Sequence, residues 1–205
     1  EESLNRLEGM WAFAWYNEVS GTMLLSRDRF GEKPLYVWSK DNGLYFASEV
    51  KGLSRMANES PKVNKNHLLR NLVNGYKSLY KTNETFFLDV KELPSGTCLK
   101  IDSKGKSLSY NYWKPKLVEN NNLSYSDAVD MTRVAVINAT KLRMRSDVPI
   151  AFCMSGGVDS NTLISVASKI LECEVHGFTI VNTDSRYEEQ SLVNQSVKEL
   201  GIKHE

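Results

Sequence analysis

Six consecutive residues carry the clearest chemistry in this sequence. Ser155-Gly156-Gly157-Val158-Asp159-Ser160 follow the apolar run Ile150-Ala151-Phe152-Cys153-Met154 and lead straight into helix-forming sequence. A loop that leaves a parallel strand and opens a helix lies at the carboxyl edge of its sheet, where ligands bind. The start of that helix offers N–H groups without intrahelical partners and a partial positive charge, so an anion suits the place. Gly156 and Gly157 have no Cβ, which lets backbone approach the anion closely and permits positive φ where a turn needs it. Ser155 and Ser160 add hydroxyl donors, and a phosphate fits the whole set. This reading fails if the segment between Met154 and Asn161 folds inward with its amides already taken by protein acceptors. The plainer alternative is a Gly-Gly turn in which Asp159 caps the helix.

Two familiar phosphate loops are excluded. No lysine follows the second glycine, as the GxxxxGK[ST] pattern demands. The glycines are adjacent with no third behind them, so GxGxxG fails as well.

The elements that must hold this loop are legible on either side of it. Ser124 and Asp127 make a helix-capping pair, and Ala128, Met131, Ala135 and Leu142 then recur at helical spacing. Strand VPIAFCM, helix NTLISVASKILE, strand EVHGFTIV and helix YEEQSLVNQSVKEL follow, with a third strand due at the last residues. That alternation predicts a parallel α/β sheet with crossover helices. The first half reads differently. Runs WAFAWYN, GTMLLS, LYVWS and LYFAS are β-rich with turn residues between them, Asp41-Asn42-Gly43 among these, so antiparallel hairpins are expected. Asn64 is placed to cap a helix. Leu93-Pro94-Ser95-Gly96 turns into a further hairpin, CLKID with SLSYNYW. The predicted organisation is an α+β antiparallel sandwich over 1–115, a polar linker over 116–123 and a parallel-sheet α/β domain over 124–205.

Composition limits the alternatives. The 205 residues are 41% apolar and 25% charged, with 26 Lys plus Arg against 25 Asp plus Glu. Net charge therefore argues for neither a nucleic-acid nor a membrane partner, and no apolar run approaches the roughly 18 to 20 residues of a span. The opening EESLNRLEG has neither a basic region nor an apolar one and is not a signal peptide. Lacking an initiator Met, it reads as an interior piece of a longer chain. Cys98, Cys153 and Cys173 lack zinc spacing and are read as buried reduced thiols. His67, His176 and His204 are too scattered to build a metal site alone. Asp28 with Arg27 or Arg29 is read as a buried ion pair in preference to a substrate site, and Glu49 as the cap of a short helix in preference to a residue pointing between domains. Trp11, Phe13, Trp15, Tyr36 and Phe46 are expected in the sandwich core.

Taken with these segments, SGGVDS resembles the pyrophosphate loop of the ATP pyrophosphatase families. RLEGMWAFAWYN, LLSRDRFGEKPLYV, LYFASEVKGL, ELPSGTCLKI and YNYW, in this order and ahead of that loop, resemble the glutamine-hydrolysing asparagine synthetases across residues 4–205. The resemblance implies the second half of a class II glutamine amidotransferase domain, with an Ntn-hydrolase-like fold, followed by the start of a synthetase domain. It implies a cytoplasmic carbon–nitrogen ligase that uses glutamine, aspartate and ATP with Mg²⁺, proceeds through β-aspartyl-AMP, and allows for a homodimer. By matched position, Ser155, Gly156, Gly157, Asp159 and Ser160 would bind the ATP diphosphate, and Met154 and Ile180 would contact adenosine; Ile180 reads equally well as strand core. Asn161 stands where a serine is frequent and still opens a helix. Tyr187 with Glu188 and Glu189 could bring a carboxylate to the cleft, although a solvated helix start is the simpler account. The family's N-terminal cysteine nucleophile has no match here, since Cys98 and Cys153 lie inside strands, so no catalytic or metal-ligating residue is assigned. A related amidotransferase acting on another carboxylate, such as a sugar uronate, and a non-catalytic scaffold are the rival readings.

Overall fold

The computed structural model describes residues 2–41, 43–76, 79, 82–119, 122–181, 184 and 189–205. Two compact units, Glu1–Leu117 and Val118–Glu205, make up the chain.

The first unit runs β1 (Ala12–Asn17), β2 (Thr22–Arg27), β3 (Tyr36–Lys40), β4 (Gly43–Ala47), α1 (Val50–Ala57), α2 (Lys65–Asn74), β5 (Val90–Glu92), β6 (Thr97–Ile101) and β7 (Ser107–Asn111). Its strands form two antiparallel sheets, ordered β1-β2-β6-β7 and β4-β3-β5. Strand side chains alternate between faces. Leu25 opposite Leu99, Met23 opposite Ile101 and Val37 opposite Phe46 therefore each send an apolar pair to one side. Leu25, Leu35 and Leu93 with Met23, Val37, Phe46 and Leu99 form one cluster drawn from both sheets. Burying a leucine such as Leu25, which is fully enclosed, stabilises by about 2 kcal/mol. Trp38, Leu53 and Val90 pack the far side of the small sheet against α1. Leu4, Leu24 and Cys98 with Phe13 cover the outer face of the large one.

Of the aromatics expected in the core, Phe13, Tyr36 and Phe46 join these clusters, and Trp11 stacks on Tyr112. Trp15 does not: it is 51% exposed, because it stands on the outer face of an edge strand, where Leu4 and Leu7 line the same open pocket without covering it. The expectation of uniformly buried thiols also needs correcting. Cys98 is buried, Cys173 half-buried, and Cys153, at the open end of its strand, exposed.

The turn after β2 is organised by Asp28, though not through an ion pair. Its carboxylate accepts backbone N–H groups from Trp11, Phe30, Glu32 and Lys33 at 3.0–3.3 Å. Arg27 instead pairs with Glu92 at 2.8 Å and donates to the carbonyls of Gly31, Lys33 and Leu93. Glu49 occupies the cap position of α1, but its carboxylate makes no capping bond and pairs with Lys51 at 2.6 Å. Asn64 does cap α2, its Oδ1 accepting from His67 N at 3.1 Å. Asn64→Ala should lower stability by about 1 kcal/mol, read as a fall in the urea midpoint with unchanged slope.

The second unit runs α3 (Tyr125–Arg143), β8 (Ala151–Cys153), α4 (Val158–Ser165) continued by a π-helical turn (Val166–Ile170), β9 (His176–Phe178), α5 (Gln190–Leu200) and β10 (Lys203–His204). Its sheet is ordered β10-β9-β8, and both pairings are parallel. Ser124 caps α3 by accepting from Asp127 N at 3.1 Å, and the Asp127 carboxylate accepts in turn from the Ser124 hydroxyl. The buried face of α3 differs from the expected one. Met131 and Leu142 are exposed, while Val136, Thr140 and Met144, each four residues apart, turn inward. Apolar residues lie all round this helix, so packing on the π-helical turn, rather than spacing alone, selects its face. The core holds Met154, Ile164, Ala167, Val175 and Val193. The whole chain is thus mixed α/β, with antiparallel sheets first and a parallel sheet after.

Candidate functional site

The loop from Met154 to Gly157 joins β8 to α4 at the carboxyl edge of the parallel sheet. Three contacts tie that edge together. Met154 N donates to Phe178 O at 2.7 Å, the Thr179 hydroxyl donates to Met154 O at 3.1 Å, and Thr179 N donates to Glu205 O at 2.9 Å. Thr179 Oγ1 also lies 2.8 Å from His204 Nε2. The loop therefore leaves a rigid base.

Neither glycine of the pair uses positive φ: Gly157 precedes α4 at φ −75° and ψ 148°, and Gly156 is not among the positive-φ glycines. Close approach explains Gly156. A Cβ there would stand 2.9 Å from Leu192 Cδ1 and 3.4 Å from Glu189 Cβ, so the first turn of α5 packs where a side chain would be. At Gly157 an added Cβ would press on Ser155 Oγ at 3.2 Å.

One of the two conditions that together would sink the phosphate reading is met, since three loop amides already have protein acceptors. Ser155 N donates to Ser160 Oγ at 3.3 Å, Gly157 N to Ser155 Oγ at 3.2 Å, and Gly156 N to Glu189 Oε2 at 2.8 Å. The two serine hydroxyls lie 2.9 Å apart. Each of these three donors is satisfied within the chain, as backbone N–H groups held away from bulk water require. The segment does not fold inward, however: Gly157, Val158 and Asp159 are exposed. The shortest of the three contacts, at Gly156 N, has a carboxylate oxygen as its acceptor.

Two residues that spacing under-described prove structural here. Asn161 is more than a polar helix opener. Its Nδ2 donates to the carbonyls of Ser155 and Gly157 at 2.9 and 2.8 Å, tying the loop to the first turn of α4. Glu189, read as part of a solvated helix start, reaches 33 residues back along the chain to Gly156. An acidic pair before a helix was its only signal. Tyr187 and Glu188 lie outside the described residues.

The two adenosine candidates separate. Met154 is buried in the core, its sulfur over Gly177, so its side chain is spoken for and only its backbone borders the edge. Ile180 is 98% exposed just beyond β9, which removes the core-residue account for it. Asp159 is exposed in the first turn of α4. Among the described residues no group of three or more His, Cys, Asp or Glu side chains could cage a metal. No helix there is long and apolar enough to cross a membrane.

Residues 1–113 match the family model for the glutamine amidotransferase domain, and residues 131–205 that for asparagine synthase. A putative glutamine-hydrolysing asparagine synthetase 2 of Methanocaldococcus jannaschii is 29% identical over 99% of this chain and 39% of its own length. The glutamine-hydrolysing asparagine synthetase 1 of Bacillus subtilis is 30% identical over 100% and 31%. A protein of Gibberella zeae called amidase chry2 is 26% identical over 82% and 25%. The chain spans between a quarter and two fifths of the length of these relatives. A solved glutamine phosphoribosylpyrophosphate amidotransferase of B. subtilis aligns over 99% of the chain at 13% identity and a TM-score of 0.38, too distant to bear on the fold. With both domain matches present and in that order, the chain belongs to the family of glutamine-hydrolysing asparagine synthetases.

Proposed function

We propose that the 154–161 loop binds the diphosphate of ATP, and that the protein is a cytoplasmic, glutamine-dependent asparagine synthetase. In this reading ammonia from glutamine, released in an Ntn-type first domain, attacks β-aspartyl-AMP in the second, giving asparagine, glutamate, AMP and pyrophosphate. The observation that carries it is the Gly156 N–H, which opens a helix at a parallel-sheet edge and donates at 2.8 Å to a carboxylate oxygen. A donor that holds one anionic oxygen is chemically suited to another. The hydroxyls of Ser155 and Ser160 reinforce it, since each can turn from accepting an amide to donating to phosphate. Ile180 offers an exposed apolar surface at the same edge for a purine face.

Magnesium binds through one or two carboxylates plus substrate phosphates and keeps several waters, rather than needing an all-protein cage. Asp159 fits that role as the exposed carboxylate of the loop; when bound, the ion neutralises charge on the departing diphosphate. A homodimer belongs to the same proposal. The test is direct. ATP·Mg should bind the chain in a calorimetric titration, and Asp159→Ala should weaken binding at least about tenfold, the equivalent of 1.4 kcal/mol, with the circular dichroism unchanged. Equal binding by the variant would count against the reading. In the full protein, glutamine- and ATP-dependent pyrophosphate release should respond to aspartate. A response to a sugar uronate instead would favour the variant with another acceptor.

A further inference from the structure

The three donors of the loop are occupied by acceptors of two kinds, and the difference has consequences. Ser155 N and Gly157 N are held by hydroxyls at 3.3 and 3.2 Å. A hydroxyl both accepts and donates, so an arriving phosphate can turn these partners toward itself. Gly156 N is held by the Glu189 carboxylate at 2.8 Å. An ionised carboxylate has no proton to offer, and it repels a phosphate at the same spot. It must leave before a phosphate oxygen can take that N–H.

Nor is Glu189 a loose chain passing by. It is the N-cap residue of α5, with φ −118° and ψ 4°, yet its side chain makes no capping bond to its own helix. It spends its oxygen on the neighbouring loop instead. The same turn of α5 lays Leu192 over the space where a Gly156 side chain would be. The helix is built against the loop in a way that delivers a carboxylate to one amide.

We propose that Glu189 is a specificity-determining residue of the nucleotide loop: a tethered anion that every incoming anion must displace. Tethering gives it an effective concentration in the millimolar range or above. A ligand that meets Gly156 N–H at one point competes poorly with that. A polyphosphate, which engages the Ser155 and Ser160 hydroxyls and the Gly157 amide together with Gly156, displaces it. Glu189 thereby refuses orthophosphate and small carboxylates while admitting the nucleotide. This inference rests on the nucleotide reading of the loop.

The test is a set of calorimetric titrations of orthophosphate, inorganic pyrophosphate and ATP·Mg into the 205-residue chain, wild type against Glu189→Ala and Glu189→Gln. Removal of the carboxylate should tighten orthophosphate binding about tenfold, the size expected from loss of one like-charge contact, and pyrophosphate binding by a smaller factor, so that the ratio between them narrows. Glu189→Gln keeps the chain length and a carbonyl oxygen for Gly156 N–H, so it should move the same way by a smaller factor. It decides the matter if the alanine variant fails to fold. Wild type that binds ATP·Mg while both variants match it for orthophosphate overturns the role of Glu189 and leaves the nucleotide reading standing. Weaker binding by the variants also overturns it, since Glu189 would then assist the ligand. No binding of any of the three by wild type or variants would refute the nucleotide reading, and this inference with it.

Discussion

Asp28→Ala should destabilise the first unit by about 4 kcal/mol, near the upper end for a single substitution. The carboxylate is 1% exposed and satisfies four backbone N–H groups, those of Trp11, Phe30, Glu32 and Lys33. Alanine leaves all four without their acceptor. A donor stranded away from water loses about 1–3 kcal/mol, and less where, as at the exposed residues Phe30, Glu32 and Lys33, water can replace the carboxylate. The loop from Arg27 to Lys33 should loosen with it, because the Arg27 guanidinium holds the carbonyls of that same loop. Urea unfolding of the variant against wild type measures the loss, and a change below about 1 kcal/mol would show that the amides find other partners.

The same carboxylate predicts a pH dependence. Burial pushes the Asp28 carboxyl up, but the N–H groups of Lys33, Glu32, Phe30 and Trp11 together outweigh it and hold the group below its ordinary value of 3.8. A group whose folded pKa is depressed contributes fully above its unfolded pKa and loses that contribution as pH falls through the folded one. Stability from Asp28 is therefore intact at neutral pH and disappears below about pH 3.8. Asp28→Asn should be less stable at pH 7 and show a flatter fall in acid.

Gly96→Ala should be nearly as damaging, at about 3 kcal/mol, for a different reason. Gly96 sits at φ 61°, and an added Cβ would stand 2.6 Å from the carbonyl oxygen of Trp113. That oxygen cannot swing away cheaply, because Gly96 O accepts from Tyr112 N and Trp113 N at 3.0 and 3.3 Å while Gly96 N donates to Asp28 O at 2.8 Å. The left-handed conformation alone costs a non-glycine residue about 1 kcal/mol, and forcing backbone apart adds about 1–3 kcal/mol. Gly105 supplies the control. It has φ 79° but nothing within 4 Å of its Cβ position, so Gly105→Ala should lose only the conformational part. Equal losses at both sites would remove the backbone contact as the cause.

These positions show where sequence reading ends. The hairpins, the caps at Asn64 and Ser124, and the strand–loop–helix frame around residues 155–160 were readable because their causes are local. Side-chain period, turn residues and capping oxygens act within a few residues of one another. The ion pair expected of Asp28 with its neighbouring arginines failed because its real partners are amides that meet only when the turn closes. Met154 and Ile180 looked alike as apolar residues beside the same edge, yet packing buries one and exposes the other. The inward face of α3 followed the same rule, decided by what it packs against.

The residue types of the loop, its place between a strand and a helix, and the order of its neighbouring segments were written in the amino-acid sequence. Which acceptor rests on each loop amide was not. That depended on α5 arriving beside Gly156, a meeting of residues 33 apart in the chain, and no local propensity encodes a contact that exists only after the sheet and its helices have assembled.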